Sequence, residues 1–203
     1  MPNKICIFPN DPLLAYFEKG EIKERYYNPK NFFDEIHFIT LIEKDIDSSK
    51  IQSIAGKAKI VIHSVGKINI KNRKKHLNEI IELCKKINPD VIRAFNPFIE
   101  GWLAANCAKE LEIPFLVSLH TQYDYNRKLS KNKLKKYLAL KYTEKFIEPF
   151  VLNTADKIVV VYKLETEAGG IMFRYAGLKQ TGNKKWEYLE KAMVNFIFDE
   201  VNL

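Results

Sequence analysis

Short, mostly apolar runs alternate along the chain with longer segments in which apolar residues recur at helical spacing. Runs of this kind are typical of strands that are covered on both faces of a parallel sheet. Their alternation with helices predicts an α/β fold with a doubly wound parallel sheet. The six predicted strands are residues 5–8, 36–42, 59–64, 91–95, 115–119 and 157–162.

Residues 88–124 contain two of these strands and the helix between them, in the order expected of a βαβ unit. The two strands are therefore predicted to be parallel, with a right-handed crossover. Polar side chains follow the carboxyl end of each strand, and ligands bind at that edge of open α/β sheets. The candidate site residues in this segment are Asn96, Glu100, His120, Thr121 and Asp124.

The helices near this unit have recognisable boundaries and faces. Asn96 is a suitable helix cap and Pro97 suits the first helical position, so the helix between the two strands is expected to begin there. The preceding helix, residues 72–87, has one clean apolar face, and its opposite face carries Arg73 together with several lysines.

A long polar segment, residues 10–31, follows the first strand. Loops of this length in compact domains are usually functional or mobile. The alternative is that residues 13–17 and 22–27 form helical turns that cover the sheet, and both interpretations are retained. The segment's candidate substrate-binding residues are Asn10, Asp11, Glu18 and Lys19.

A strongly basic helix is predicted over residues 131–153, with Pro149 kinking or ending it. Its lysines can be interpreted as a solvated face, as a contact with anionic lipid or as a nucleic-acid surface. Lipid contact suits clustered lysines, each attracted to an acidic leaflet by about 1 kcal/mol. Nucleic-acid binding would require a groove-binding motif or a platform of aromatic residues for base stacking, and the sequence shows neither. The lysines assigned to the membrane contact are Lys131, Lys135 and Lys136.

The composition narrows the class of protein only in part. With 203 residues, of which 46% are hydrophobic, the chain can form one ample domain or two small ones. The net charge of +8 indicates attraction to an anionic partner, whether phosphate-bearing substrate, nucleic acid or membrane. No run approaches the length of a bilayer span and no signal-peptide layout is present, so we expect a cytoplasmic protein, peripheral at the inner membrane face if it binds lipid.

Several common sites are excluded or disfavoured by spacing. The chain has neither GxGxxG after the first strand nor GxxxxGK[ST], the two commonest nucleotide cradles. Asp45 and Asp47 have the spacing of a metal-binding acidic pair, but they lie in a polar segment and are interpreted as a solvated turn. The three cysteines, Cys6, Cys84 and Cys107, stand within apolar patterns and are predicted to be buried thiols rather than disulfide or zinc ligands.

The end of the chain differs in character from the rest. Glycines are concentrated in residues 163–182, which predicts a flexible connector, and residues 183–203 are predicted to form an amphipathic helix. The apolar stripe of that helix needs a partner surface. The predicted domain is thus 1–162, followed by the connector and the helix.

Four short sequence segments stand in order along the chain: Asn88-Pro-Asp-Val-Ile; Gly101 with Ala104 and Ala105; Ile113-Pro-Phe-Leu-Val-Ser-Leu-His120; and Thr154-Ala-Asp-Lys-Ile-Val-Val-Val161. Together they resemble the amino-terminal domain of the family-4 glycosyltransferases, which have the two-domain GT-B architecture. The resemblance covers about the first 160 residues and implies a Rossmann-like fold for them.

The resemblance implies sugar transfer from a nucleotide-activated donor to an acceptor, with retention of anomeric configuration. In that family the first domain mostly holds the acceptor and the second binds the nucleotide. His120 stands at the position of a histidine that contacts the transferred sugar and is the candidate catalytic residue. The polar groups of the first loop would contact acceptor hydroxyls. No metal ligand is implied.

Only 41 residues follow Tyr162, whereas a nucleotide-binding domain needs well over about 100. We therefore expect an acceptor-binding domain that lacks the donor half and is inactive alone. The nucleotide-sugar donor would bind only with a second domain or a partner chain. In GT-B enzymes the last helix packs back on the first domain, and residues 183–203 are expected to do so. The alternative function is a non-enzymatic binding module for an anionic partner.

Overall fold

The computed structural model describes residues 2–119, 130–131, 133–165 and 171–177, with side chains described as far as residue 159. A seven-stranded sheet in the order β3-β2-β1-β4-β5-β6-β7 forms the centre of this part of the chain. Its strands are β1 (Lys4–Phe8), β2 (Glu35–Thr40), β3 (Lys59–Ser64), β4 (Val91–Ala94), β5 (Phe115–Leu119), β6 (Lys157–Glu165) and β7 (Ile171–Gly177).

The first six strands are all parallel, which confirms the predicted doubly wound, Rossmann-like fold. The seventh was not predicted. β6 runs on to Glu165 and pairs antiparallel with β7, so the structure places strands where a flexible connector was expected. Both segments are rich in β-branched and aromatic residues, which favour strands. The glycines that suggested a connector lie between the two strands, at the end of β7 and beyond it.

Four helices lie on one side of the sheet, called the helical face below, and three of them contribute side chains to the core there. Small and branched apolar residues of the second and third helices pack on β1, β4 and β5, and the three cysteines are buried and unpaired among them, as predicted. The four helices are α2 (Arg73–Ile87), α3 (Ile99–Leu111), α4 (Leu134–Phe146) and α5 (Glu148–Thr154).

On the opposite face, called the aromatic face below, the described part of the chain places the short helix α1 (Leu13–Glu18) and a 3₁₀ helix (Ser48–Ala55). The ring of Tyr27 fills much of the space between them, with its centroid 4.9 Å from that of Phe38 and 5.4 Å from that of Phe95. Leu13 and Tyr27 are buried, so the first polar segment does cover the sheet through α1 and a turn at residues 24–27.

Helix α3 begins later than the sequence predicted. Asn96 does not cap it: its Oδ1 accepts a hydrogen bond from the backbone N–H of Phe98 at 2.9 Å, and the first helical residue is Ile99. The turn is held tightly against the helix, because a Cβ on Gly101 would lie 2.3 Å from the Asn96 carbonyl oxygen. Asn96 is thereby buried at the start of the turn rather than at the helix end.

The predicted basic helix is divided in two at Ile147, where α4 ends and α5 begins. Pro149 lies in the first turn of α5, a position where its missing N–H costs no hydrogen bond. The prediction that this proline kinks or ends the helix is confirmed.

Arg73 is buried, with only 8% of its surface exposed, and not on a solvated face as the helical pattern suggested. Its guanidinium carbon lies 5.1 Å from the ring centroid of Trp102 and 5.5 Å from that of Tyr142. It also donates a 2.9 Å hydrogen bond from Nη2 to the Tyr142 hydroxyl. Cation–π contacts of this kind stabilise a desolvated arginine, and here they join α2 to α3 and α4.

Candidate functional site

The sheet order reverses between β1 and β4, which lie side by side although the chain leaves them toward different neighbours. The carboxyl ends of strands at such a switch point form the usual ligand crevice of open α/β sheets. Backbone pairing continues past the strands here, since the Phe95 N–H donates to the Phe8 carbonyl at 3.1 Å. Asn10 and Asp11 follow β1, and Asn96 and Glu100 follow β4.

On the β1 side, the predicted residues form a small polar network. The Asn10 amide donates to Asp11 Oδ2 at 3.3 Å, and the Tyr16 hydroxyl donates to Asn10 Oδ1. Lys19 lies 3.7 Å from the Asp11 carboxylate. Glu18 ends α1 in an exposed position and joins none of these contacts within the described residues. The network leaves Asn10 and Asp11 accessible to a ligand's hydroxyl groups.

On the β4 side, Glu100 is the group with unusual proton affinity. Burial raises its pKa to about 7, and repulsion from the Asp11 carboxylate adds to this, while hydrogen bonds from the Asn96 side chain and the Glu100 backbone oppose it. The charge of Asp11 on the β1 side therefore acts on Glu100 on the β4 side. A carboxyl group that titrates near neutral pH can donate or accept a proton there.

The remaining predicted residues follow β5. That strand ends at Leu119 beside β4, but His120, Thr121 and Asp124 lie outside the described residues. Their roles therefore stay predictions. Among the residues that the structure does describe, no group of three histidine, cysteine or acidic side chains could hold a metal ion.

The family model "Glycosyltransferase Family 4" matches residues 43–166 of the chain. The match spans more than half of the sequence, including β3, β4, β5 and the helices between them. The chain belongs to glycosyltransferase family 4. The resemblance drawn from four short sequence words is thereby confirmed. No curated protein sequence matches this family-4 chain significantly.

Three solved structures are similar to parts of the family-4 chain. The lipopolysaccharide outer core galactosyltransferase WaaB in its apo form is 13% identical with a TM-score of 0.46, over 76% of this chain and 38% of WaaB. The UDP-GlcNAc 2-epimerase from Methanocaldococcus jannaschii is 13% identical with a TM-score of 0.46, over 78% and 39%. S. aureus MnaA, in a structure with UDP, is 12% identical with a TM-score of 0.46, over 79% and 39%. The chain therefore spans less than two fifths of each protein.

The acidic pair of the family-4 chain serves two helix ends rather than a metal. Asp45 accepts hydrogen bonds from the backbone N–H groups of Leu13 at 3.0 Å and Leu14 at 2.7 Å, and so caps α1 from a distant part of the sequence. Asp47 caps the 3₁₀ helix by accepting from the Ser49 N–H at 2.8 Å. These contacts agree with the structural interpretation of the pair, although its role is capping rather than a simple solvated turn.

Two residues near the crevice were missed by sequence reasoning. Arg93 is buried in β4, where its Nε donates to Ser118 Oγ at 3.2 Å and its guanidinium carbon lies 4.4 Å from the Phe95 ring centroid. The available signal was a charged residue inside an otherwise apolar strand. Tyr27 was treated only as part of a helical turn, and no sequence signal marks its hydroxyl group.

Proposed function

We propose that this chain is the acceptor-binding part of a retaining glycosyltransferase that uses a nucleotide-sugar donor. The observation that carries the proposal is the family-4 match over residues 43–166. In the proposed reaction, the bond between the anomeric carbon and the nucleotide's phosphate oxygen breaks. A bond to an acceptor hydroxyl oxygen forms on the same face of the sugar, and the hydroxyl proton leaves with the nucleotide.

The proposed roles follow from the chemistry of the crevice. Asn10 and Asp11 offer an amide and a carboxylate to acceptor hydroxyls, and Glu100 can exchange a proton close by. His120 is proposed to position the transferred sugar, since a neutral imidazole can donate or accept one hydrogen bond at a hydroxyl group. Further acceptor contacts are assigned to Glu18, Lys19, Asn96, Thr121 and Asp124.

Donor binding is proposed to require a nucleotide-binding domain beyond these residues or on a partner chain. The described sheet has one topological switch point, between β1 and β4, and the crevice there carries carboxylates at Asp11 and Glu100. Carboxylates repel a nucleotide diphosphate but suit a hydroxyl-rich acceptor. The chain alone is therefore expected to be inactive.

Calorimetry and a transfer assay test this proposal together. Nucleotide-sugars titrated into the chain alone should give no heat, whereas the chain with its cognate nucleotide-binding partner should release a nucleoside diphosphate. His120→Ala should abolish that turnover. His76→Ala is the matched control, because His76 lies on α2 and pairs with Glu79 at 3.5 Å, away from the crevice. Tight nucleotide-sugar binding by the chain alone would contradict the division of roles, and full activity of His120→Ala would remove that residue from the mechanism.

The acceptor is proposed to be lipid-linked, because α4 combines exposed apolar and cationic side chains. Four apolar residues spaced four apart stay between 37% and 66% exposed. An exposed apolar stripe flanked by lysines is the pattern of a helix that lies in a membrane interface. No described helix is long and apolar enough to cross a membrane. The stripe consists of Leu134, Leu138, Tyr142 and Phe146, and the flanking lysines include Lys131, Lys135 and Lys136.

Peripheral binding at the cytoplasmic leaflet would bring a lipid-linked acceptor to the domain, and three unpaired thiols suit that reducing compartment. Sedimentation with vesicles tests it. Binding to vesicles that contain anionic lipid should exceed binding to neutral ones and weaken in high salt.

Replacing Lys135 and Lys136 by glutamine should weaken vesicle binding by about tenfold or more, at about 1 kcal/mol for each lysine. The pair Lys50→Gln with Lys57→Gln is the matched control. Both control lysines are exposed, Lys50 within the 3₁₀ helix and Lys57 just after it, near the β3 edge of the sheet, and their replacement removes the same charge. Binding that is unchanged in high salt, or that both double variants weaken equally, would contradict the assignment of α4.

A further inference from the structure

A cavity of about 250 Å³ lies on the aromatic face, between α1, the turn after it and the 3₁₀ helix. We call it the tyrosine pocket. Its walls include three tyrosine rings and the aliphatic side chain of Ile54, and charged groups stand at its entrance. The tyrosines are Tyr16, Tyr26 and Tyr27, and the charged residues are Glu21 and Lys23, both exposed.

Among the residues that the structure describes, none forms a hydrogen bond of ordinary geometry with the Tyr27 hydroxyl group, although Tyr27 is only 4% exposed and lines the pocket. An unsatisfied buried hydroxyl costs about 1–3 kcal/mol. Burial raises its pKa well above the usual value, so it stays protonated and must donate. A group of this kind inside a cavity indicates a missing acceptor atom.

The Tyr16 hydroxyl supplies the complementary half of such a contact. Besides the effect of burial, a side-chain hydrogen-bond interaction between the two hydroxyl groups raises the pKa of Tyr27 and lowers that of Tyr16, but the pair falls outside the geometry of a full hydrogen bond. Tyr16 donates its own proton to Asn10 Oδ1, which leaves its oxygen lone pairs available. A ligand hydroxyl placed between the two could accept from Tyr27 and donate to Tyr16.

The size and charge of the pocket restrict the ligand further. Pockets for drug-sized ligands hold about 300–1,000 Å³, so this volume suits a single ring. Glu21 and Lys23 carry opposite charges, which gives no net attraction for a phosphate or a cation. Aromatic and aliphatic walls suit the C–H faces of a ring that also bears hydroxyl groups. The combination matches a neutral sugar ring.

We infer that the tyrosine pocket binds one neutral sugar ring of the acceptor, with a ring hydroxyl bridging Tyr27 and Tyr16. The hydrogen bond from Tyr16 to Asn10 connects the pocket to the switch-point crevice, so the rest of the acceptor can reach the site of transfer. This inference rests on the proposed function for identifying the ligand as acceptor. The binding itself depends only on the pocket.

Ligand-observed NMR with the full chain tests the inference without a donor. The probes are free hexoses, their methyl glycosides and N-acetylhexosamines, with cyclohexanol and inorganic phosphate for comparison. At least one sugar should show saturation transfer and, in a protein-observed spectrum, should shift the Ile54 methyl signals. Phosphate should leave those methyl signals unchanged. Tyr27→Phe should weaken the binding of that sugar by about tenfold and should not lower the melting temperature of the free protein.

Tyr137→Phe is the matched control, because it removes a tyrosine hydroxyl from α4 and should leave sugar binding unchanged. Tyr16→Phe is the second pocket variant, and it should also weaken the binding of the same sugar. It keeps the test available if Tyr27→Phe fails to fold. Sugar binding that neither pocket variant weakens, or a pocket that takes up water alone, would overturn the inference.

The proposed function fails separately from the pocket. Sugar binding with these Tyr16 and Tyr27 dependences but no transfer in any reconstituted mixture would keep the pocket and remove the transferase role. Transfer that Tyr27→Phe leaves intact would keep the transferase role and remove the pocket from it.

Discussion

The two faces of the sheet are built in different ways. The helical face is closed mainly by long helices, whose core contacts include small residues such as Ala104, Ala105 and Ala108. The aromatic face is closed by a six-residue helix, a 3₁₀ helix and large rings, and it retains a cavity with an unsatisfied hydroxyl. We infer that the helical face mainly stabilises the fold, whereas the aromatic face gives up some stability and leaves room for a ligand.

The physical reason lies in helix length and packing. A helix as short as α1 is not stable by itself in water, so it depends on the Asp45 carboxylate and on its few buried side chains. Regions with few buried apolar contacts open more easily than the core. The polar crevice lies at the edge of the sheet where the helical face and the aromatic face meet, between β1 and β4.

The largest expected effect comes from the same truncation on each face. Leu103 on the helical face and Leu13 on the aromatic face are both fully buried. Leu103→Ala should lower the free energy of unfolding by about 4 kcal/mol, because its rigid surroundings cannot collapse. Leu13→Ala should cost less, about 2–3 kcal/mol, because α1 can relax into the neighbouring pocket. Urea unfolding of both variants measures the difference, and equal costs would contradict the contrast between the faces.

A second effect concerns Glu100 at the crevice. Its pKa is raised from 4.5 to about 7 in the folded protein, so the stability it contributes is complete below pH 4.5 and is lost as the pH rises toward 7. Glu100→Gln mimics the protonated form and should stabilise the protein at pH 8 by about 2 kcal/mol, with no difference at pH 4. Glu110→Gln, exposed on the same helix, is the control. Equal stability of wild type and Glu100→Gln at pH 8 would show that the carboxyl group is not desolvated.

The cap of α1 should have a smaller effect. Asp45→Ala removes the acceptor of two α1 backbone N–H groups and should destabilise the protein by about 1–2 kcal/mol. Hydrogen exchange should locate the loss in α1 and leave α3 protected. Asp45→Asn, which keeps one acceptor oxygen, should recover part of the stability. Uniform loss of protection on both faces would mean that α1 is not a separate, weaker unit.

The smallest effect is expected from two stacked histidines on the helical face. His37 Nδ1 lies 3.0 Å from His63 Nε2, and burial lowers the pKa of both histidines. Glu35 accepts a hydrogen bond from His37 Nε2 at 3.1 Å, which partly opposes the lowering of the His37 pKa. Stability from the neutral pair is complete above about pH 6.5 and is lost as the pH falls through the lowered pKa values. The urea concentration at the unfolding midpoint should therefore fall between pH 7 and pH 5 in the wild type. His63→Gln should make this fall smaller, whereas His76→Gln should leave it unchanged.

The amount that could be predicted from sequence differed between the fold and the site. Strands and the α2 core face were predictable because burial imposes a local period, as Ile80, Cys84 and Ile87 show. The start of α3 was not, because the tight turn at Asn96 depends on the close approach of Gly101. β7 was missed because flanking glycines obscured its strand-forming residues.

The sequence by itself determined the family, the alternation of strands and helices and the gathering of Asn10, Asp11, Asn96 and Glu100 at one edge of the sheet. These follow from local patterns and from the rule that parallel strands end on the same side. Only the tertiary structure decided that Asp45 caps α1, that Arg73 is buried between aromatic rings and that the Tyr27 hydroxyl is buried without an ordinary hydrogen bond to any described residue. Each of these depends on contacts between residues that are far apart in the sequence, and the local hydrophobic periodicity carries no information about such contacts.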